Sequence, residues 1–189
     1  MKEMKWFLVV CILFFCIACS DYHPKPRGYF RIELPEKSYK LFDEPGYPYS
    51  FEYADIATVV PLKSDKDSFW IDIVYPKLNA TIYGSYKKIN NNLRTISEDS
   101  RTFVYKHTVK AEDIPETRYE NEDRRMYGIL YQIKGNTASN VQFVLTDSIR
   151  HFFRGALYFN VTPNKDSLAP VEQYIQDDII HLVETMQWK

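Results

Sequence analysis

The chain has 189 residues, a formal net charge of −1 and 45% hydrophobic residues, which suits a single domain with a substantial core. This near-neutral charge gives no argument for nucleic acid or for an anionic bilayer as a partner, and we expect neither to be recognised through charge. The chain contains 15 Tyr and 12 Phe, and because both favour pleated, half-buried surfaces we predict a sheet-rich fold.

The chain opens with a basic head and an apolar run that ends at Ala18, which is typical of a secretory signal. As a helix the run would be about 20 Å long, too short for a hydrocarbon core of about 30 Å. Ala18, Cys19 and Ser20 resemble a bacterial lipobox, although Cys16 stands where leucine is usual. We therefore predict a lipoprotein signal at residues 1–18 and acylation of Cys19. An ordinary signal peptide that is cut nearby is the alternative.

All three cysteines lie in or at the end of this signal. A domain that enters an oxidising compartment without disulfides must be held by its core. Residues 19–28 contain Pro24 and Pro26, which disfavour helix and predict a stiff acylated tether. We expect one domain over residues 29–189.

Alternating apolar residues predict four strands in the first part of this domain. They are expected at residues 29–34, 47–53, 69–75 and 80–86, and proline or glycine marks most of the joins. The apolar period then changes to helical spacing over residues 90–107.

The second part of the domain begins with residues 112–125, which are charged and poorly patterned and predict a loop with a short helical turn. Three strands are expected next, with turns at Gly135-Asn136 and Asp147-Ser148 between them, at residues 126–134, 140–146 and 152–161.

A final helix is predicted from apolar residues spaced i, i+3, i+4 between Val171 and Met186, a stripe that only Asp178 interrupts. Asp166 or Ser167 is placed to cap its start, Pro170 suits its first turn, and Trp188 is expected to pack beneath its end.

Short turns require mostly antiparallel strands, and two amphipathic helices must bury their stripes on a sheet. We therefore predict an α+β fold, an α/β/α sandwich with a mostly antiparallel sheet and two covering helices. This layout is similar to the Mog1/PsbP-like fold, an analogy that says little about function.

Catalytic and cofactor signals are weak. Asp147, Ser148 and His151 invite a Ser-His-Asp interpretation, but no strained presenting turn or oxyanion donors are visible, and we predict a structural turn. The four histidines show no metal-binding spacing, and the six glycines are not spaced to cradle phosphate. We expect no enzyme activity, no catalytic residues, no metal and no cofactor.

Two polar groups are candidates for docking a partner, because Arg and Tyr are enriched at interface hot spots. One lies on the first helix and consists of Glu98, Arg101, Tyr105 and His107. The other contains Asn136 and Asn140, with Thr137, Ser139 and Gln142. The alternatives are an ordinary solvated helix face and a hairpin turn.

Segments along nearly the whole of the chain after the signal resemble the GldD family of gliding-motility lipoproteins from Bacteroidetes. They are PRGYFRI at 26–32, PYSFEY at 48–53, YPK at 75–77, IYGSY at 82–86, EDSRTFVYKH at 98–107, GNTASNVQFVLTD at 135–147, HFFRGALYF at 151–159 and PNKDSLAP at 163–170. The lipobox also stands where the family has it.

The resemblance implies an envelope lipoprotein that is needed for gliding and for the linked type IX secretion system, as an accessory or structural component. It carries over one residue, Cys19, as the acylated cysteine. It implies other gliding and secretion envelope proteins as partners and no small-molecule substrate, and we expect the periplasmic face of the outer membrane. Ser148 and Ser167 lie in segments that resemble the O-glycosylation signal of this phylum.

Two functions follow as hypotheses. The favoured one is a non-enzymatic scaffold held at the membrane by a lipid anchor. The alternative is an envelope domain that binds carbohydrate or peptidoglycan, or hydrolyses a substrate. A deep pocket gathering His107, His151 and carboxylates would favour the alternative, and a filled core with flat polar patches would favour the scaffold.

Overall fold

The computed structural model describes residues 33–62, 69–106, 111–161 and 164–189, apart from the side chain of residue 165. The predicted signal, Cys19, the tether, most of the predicted strand at 29–34 and His107 lie outside the described residues. Residues 33 and 34 belong to no strand.

A seven-stranded antiparallel sheet forms the centre of the domain. Its strands in spatial order are β3 (Thr58–Leu62), β4 (Trp70–Tyr75), β5 (Ala80–Lys88), β11 (His151–Phe159), β10 (Val141–Thr146), β8 (Met126–Gln132) and β7 (Glu116–Asn121). A short 3₁₀ helix, Pro76–Leu78, joins β4 to β5. The antiparallel pairing agrees with the short connections in the sequence.

Smaller elements complete the domain. A three-stranded sheet has the order β1 (Tyr39–Phe42), β2 (Tyr49–Ala54) and β12 (Gln187–Trp188), and a two-stranded sheet joins β6 (Ala111–Asp113) to β9 (Lys134–Gly135). The helices are α1 (Leu93–Tyr105) and α2 (Lys165–Thr185).

The two helices cover opposite faces of the central sheet. Neighbouring residues of a strand point to opposite faces of the sheet. In β11, Phe153 packs in one buried cluster with apolar residues of α2, whereas Phe152 packs in another with Ile96 of α1. The α2 cluster also takes in Tyr49 and Phe51 of the small sheet, so it is the main core. The predicted α/β/α sandwich is confirmed.

Several element predictions were incomplete. The predicted loop at 112–125 contains β7 and most of β6, and β7 was missed because it is an edge strand with nearly all of its side chains exposed. The final helix begins at Lys165, where the side chain of Asn164 accepts a hydrogen bond from the Ser167 backbone N–H. Pro170 therefore lies inside α2, beyond its first turn.

Gly155, in the middle of β11, provides a test of the packing in the main core. A Cβ atom at this position would lie 2.2 Å from Cε1 and Cζ of Phe143 on the neighbouring strand. We expect Gly155→Ala to lower the free energy of unfolding by about 1–3 kcal/mol through overpacking, measured by urea denaturation. Adding Phe143→Leu removes the clashing ring, so the double variant should lose less than the sum of the two single losses. If the stability losses of the two single variants simply add in the double variant, the Phe143 ring is not the cause of the loss in Gly155→Ala.

Candidate functional site

Helix α1 crosses the central sheet and leaves a cavity on each side of itself. The first, here called the β4–β5 cavity, has a volume of about 410 Å³ and is lined by the end of β3, by β4, β5 and β11, and by one flank of α1. The second, the β7–β8 groove, has a volume of about 500 Å³ and lies between the other flank of α1 and strands β7, β8 and β10.

Strand register brings the polar residues of the β4–β5 cavity together. Asp72 of β4 pairs with Tyr83 of β5, and Ser85 of β5 pairs with Arg154 of β11. All four residues line the cavity, because alternate residues of these strands face α1. Trp70, Lys87, Asp99 and Phe103 also line it.

The two charged residues on the floor of this cavity are desolvated. Burial raises the pKa of Asp72 above its usual value. Burial lowers the pKa of Arg154, and the charge of Tyr158 opposes this effect. Arg154 Nη2 donates to Gln142 Oε1 at 2.6 Å, and the guanidinium carbon lies 5.2 Å from the centre of the Phe103 ring. Asp72 Oδ1 and Arg154 Nε are buried and have no hydrogen-bond partner among the described residues.

The β7–β8 groove is lined by Glu98 and Arg101, two of the four docking residues predicted on α1. Glu98 accepts a hydrogen bond from Arg94 at 2.8 Å, the Arg101 guanidinium lies 5.3 Å from the Tyr105 ring centre, and the Tyr105 hydroxyl donates to Glu116 at 2.7 Å. The hydrogen bond with Tyr105 raises the pKa of Arg101. Glu98 and Arg101 line the groove, so the structure brings these predicted residues together. Their role in docking stays a prediction.

The second predicted patch needs correction. Asn136 is exposed, but Asn140 is only 5% exposed and its Nδ2 donates to Glu172 on α2 at 2.9 Å. Its predicted neighbours are buried as well, namely Thr137, Ser139 and Gln142. The Asn140 carbonyl accepts a hydrogen bond from the Ile133 N–H, and this contact closes the loop between β8 and β10. The side chain of Asn140 therefore connects this loop to α2 through a hydrogen bond and does not form part of an open surface.

Asp147, Ser148 and His151 form a turn between β10 and β11. Asp147 Oδ1 accepts three backbone N–H groups, from Ile149 at 2.9 Å, Arg150 at 2.7 Å and His151 at 2.8 Å. Burial alone would raise the pKa of Asp147, but these hydrogen bonds outweigh it and lower the pKa. The carboxylate thus binds the backbone of the turn.

The His151 side chain is held by aromatic neighbours. Its Nδ1 lies 2.8 Å from the Tyr86 hydroxyl, and its ring stacks on Trp188 with the ring centres 5.1 Å apart. Burial lowers the pKa of His151. Ser148 is exposed, and Ser167 lies in the first turn of α2, so glycosylation of either stays a prediction.

A buried polar cluster around Asp178 was not predicted. The Asp178 side chain is 1% exposed; its Oδ1 receives Lys37 Nζ at 2.6 Å and the Tyr39 hydroxyl at 3.2 Å, and its Oδ2 receives the Tyr75 hydroxyl at 3.2 Å. Burial, together with the charge of Asp178, raises the pKa of Tyr39 to about 12. The only sequence signal was the single charge in the apolar stripe of α2.

The described parts of the chain show no group of three His, Cys, Asp or Glu residues placed to hold a metal ion. Neither α1 nor α2 combines the length and the apolar character that a membrane-spanning helix needs.

Comparison with known proteins supports the fold and the family. The solution structure of cyanobacterial PsbP (CyanoP) from Synechocystis sp. PCC 6803 is similar at a TM-score of 0.50 and 10% identity, covering 82% of this chain and 95% of that one, so it supports the fold alone. No curated protein matches the chain. The family model described as gliding motility lipoprotein GldD matches residues 19–188, and this chain therefore belongs to the GldD family of gliding-motility lipoproteins.

Proposed function

We propose that this lipoprotein is a non-enzymatic component of the gliding machinery and of the linked type IX secretion system. In this proposal Cys19 carries the acyl chains and holds the domain at the periplasmic face of the outer membrane. The domain then binds neighbouring subunits through the exposed side of α1. Family membership supports an anchored envelope protein, and the surface of α1 supports the mode of binding.

The observation that carries this proposal is the ordered polar network along α1. Arg101, Tyr105 and Glu116 are held against each other by a stacking contact and a hydrogen bond, so little side-chain freedom is left to lose on binding. Arg and aromatic side chains of this kind are typical of interface hot spots.

A non-enzymatic role is supported by the positions of the groups that first suggested chemistry. The Asp147 carboxylate accepts three backbone N–H groups, and the His151 ring contacts the Tyr86 hydroxyl and stacks on Trp188. In a Ser-His-Asp triad the carboxylate accepts a hydrogen bond from the imidazole and orients it. In this protein Asp147 Oδ1 instead accepts backbone N–H groups of its own turn.

The test places a photo-crosslinking amino acid at position 101 in living cells, with Gln173 on the exposed side of α2 as the matched control position. We expect crosslinks to envelope proteins from position 101 and few from position 173. Arg101→Glu should weaken that association by about 2 kcal/mol, about 30-fold, and reduce gliding while the amount of protein stays unchanged. Crosslinks from position 173 alone would contradict the proposal.

A ligand-binding role is the second candidate, and the β4–β5 cavity favours it. The cavity holds Asp72 and Arg154. His151 lies instead beside an open groove with Asp147 and Arg150, and no histidine is found among the described residues that line the β4–β5 cavity.

A further inference from the structure

We propose that the β4–β5 cavity binds a neutral saccharide unit. This site goes beyond the docking function, because it lies on the opposite flank of α1 from Arg101. Its volume of about 410 Å³ falls within the range of about 300–1,000 Å³ that is usual for small-ligand sites.

Aromatic side chains flank the opening of the cavity. Tyr83 on β5 is 44% exposed and Phe103 on α1 is 46% exposed, and Trp70 on β4 lies deeper. Two exposed aromatic residues from different elements thus lie at one opening. The Arg154 guanidinium carbon and Lys106 Nζ lie 5.2 Å and 4.9 Å from the centre of the Phe103 ring, so we expect the Tyr83 ring to stack on a ligand. The electron-rich face of such a ring attracts the weakly positive C–H groups on the face of a sugar ring.

The floor of the cavity offers one unpartnered acceptor and one unpartnered donor. These are Asp72 Oδ1 and Arg154 Nε, and each is buried without a hydrogen-bond partner among the described residues. Neither atom is accessible to solvent in this conformation, so pairing with a ligand requires a rotation of the Asp72 or Arg154 side chain. Because leaving such groups unpaired is costly, a ligand that pairs with them after this rotation gains affinity. A hydroxyl group both donates and accepts, and a sugar ring presents several of them in a small volume.

The charges that line the cavity balance in sign. Among the described residues of the lining, Asp72 and Asp99 are acidic whereas Lys87 and Arg154 are basic, so these four residues together create no strong net field for an anion such as a phosphate group. This balance favours a neutral polyhydroxylated ligand. A zwitterionic amino acid is the competing occupant.

The test uses the full-length lipoprotein in detergent, with N,N′-diacetylchitobiose, cellobiose and alanine as probes in titration calorimetry. We expect saturable binding of at least one disaccharide. Tyr83→Ala removes a stacking face and Asp72→Asn removes the acceptor charge, and each should lower the affinity about tenfold or more. Ile149→Ala, at a residue that is 58% exposed in the β10–β11 turn, is the matched control and should leave the affinity unchanged. Circular dichroism confirms that each variant is folded.

Three results would overturn this proposal: no saturable binding of either disaccharide, binding that Tyr83→Ala leaves intact, or tighter binding of alanine than of both sugars. None of them bears on crosslinking from position 101, which lies in the β7–β8 groove. The saccharide proposal and the docking proposal can therefore fail separately.

Discussion

Replacing Asp178 with alanine is expected to lower the free energy of unfolding by about 3–5 kcal/mol, the range for breaking a buried ion pair. The carboxylate receives Lys37 and the hydroxyls of Tyr39 and Tyr75. Without it, the buried Tyr75 hydroxyl loses its acceptor and the Lys37 ammonium loses its counter-charge. Urea denaturation followed by circular dichroism measures the loss.

Asp177 provides the matched control, because it is the neighbouring carboxylate on the same helix but is exposed. It accepts a hydrogen bond from Gln173 at 2.9 Å on the surface of α2. We expect Asp177→Ala to change stability by no more than about 0.5 kcal/mol. Asp178→Asn keeps the shape of the side chain and one acceptor oxygen, so its loss of stability should lie between those of Asp177→Ala and Asp178→Ala. Equal losses for Asp177→Ala and Asp178→Ala would show that the buried cluster does not stabilise the fold.

Replacing Cys19 with alanine is expected to move the protein from the membrane to the soluble fraction while its thermal unfolding stays unchanged. Acyl chains contribute about 0.8 kcal/mol for each buried CH₂ group, and two or more chains are needed for stable anchoring. Without them, the apolar run that ends at Ala18 is too short to span a bilayer. Fractionation after a high-salt wash is the measurement.

Cys16→Ala is the control for this variant, because it changes a cysteine of the same signal that is not the predicted acylation site. It should remain in the membrane fraction. A Cys19→Ala protein that stays firmly in that fraction would refute acylation as the anchor, and mass spectrometry of the native protein tests the modification directly.

The fold could be predicted where one face of an element is buried and the other is exposed. In β4, Ile71, Ile73 and Tyr75 are buried whereas the alternate residues are less so, and this contrast is what the sequence pattern detects. In β7 nearly all side chains are exposed, and the strand is held mainly by its backbone pairing with β8. The spacing of apolar side chains carries no information about backbone pairing, and the sequence therefore predicted a loop where β7 lies.

The polar sites were harder to predict, because burial of a polar residue depends on partners that are distant in the chain. Asn140 looked like a surface residue, but its partner Glu172 lies on α2. Asp72 on β4 and Arg154 on β11 line the same cavity only because the sheet places their strands on either side of β5. The proximity of Glu98, Arg101 and Tyr105 could be predicted because helical spacing places them near each other, whereas their role in docking stays a prediction.

The contact between Lys37 and Asp178 joins positions 141 residues apart. Folds that depend on such distant contacts form slowly, because the chain must close a long loop before the contact can stabilise it. A newly made chain that is threaded through a secretion channel cannot form this contact until nearly all of the domain has emerged on the far side. For a chain that crosses a membrane in the unfolded state, this ion pair therefore stabilises the domain only once translocation is nearly complete.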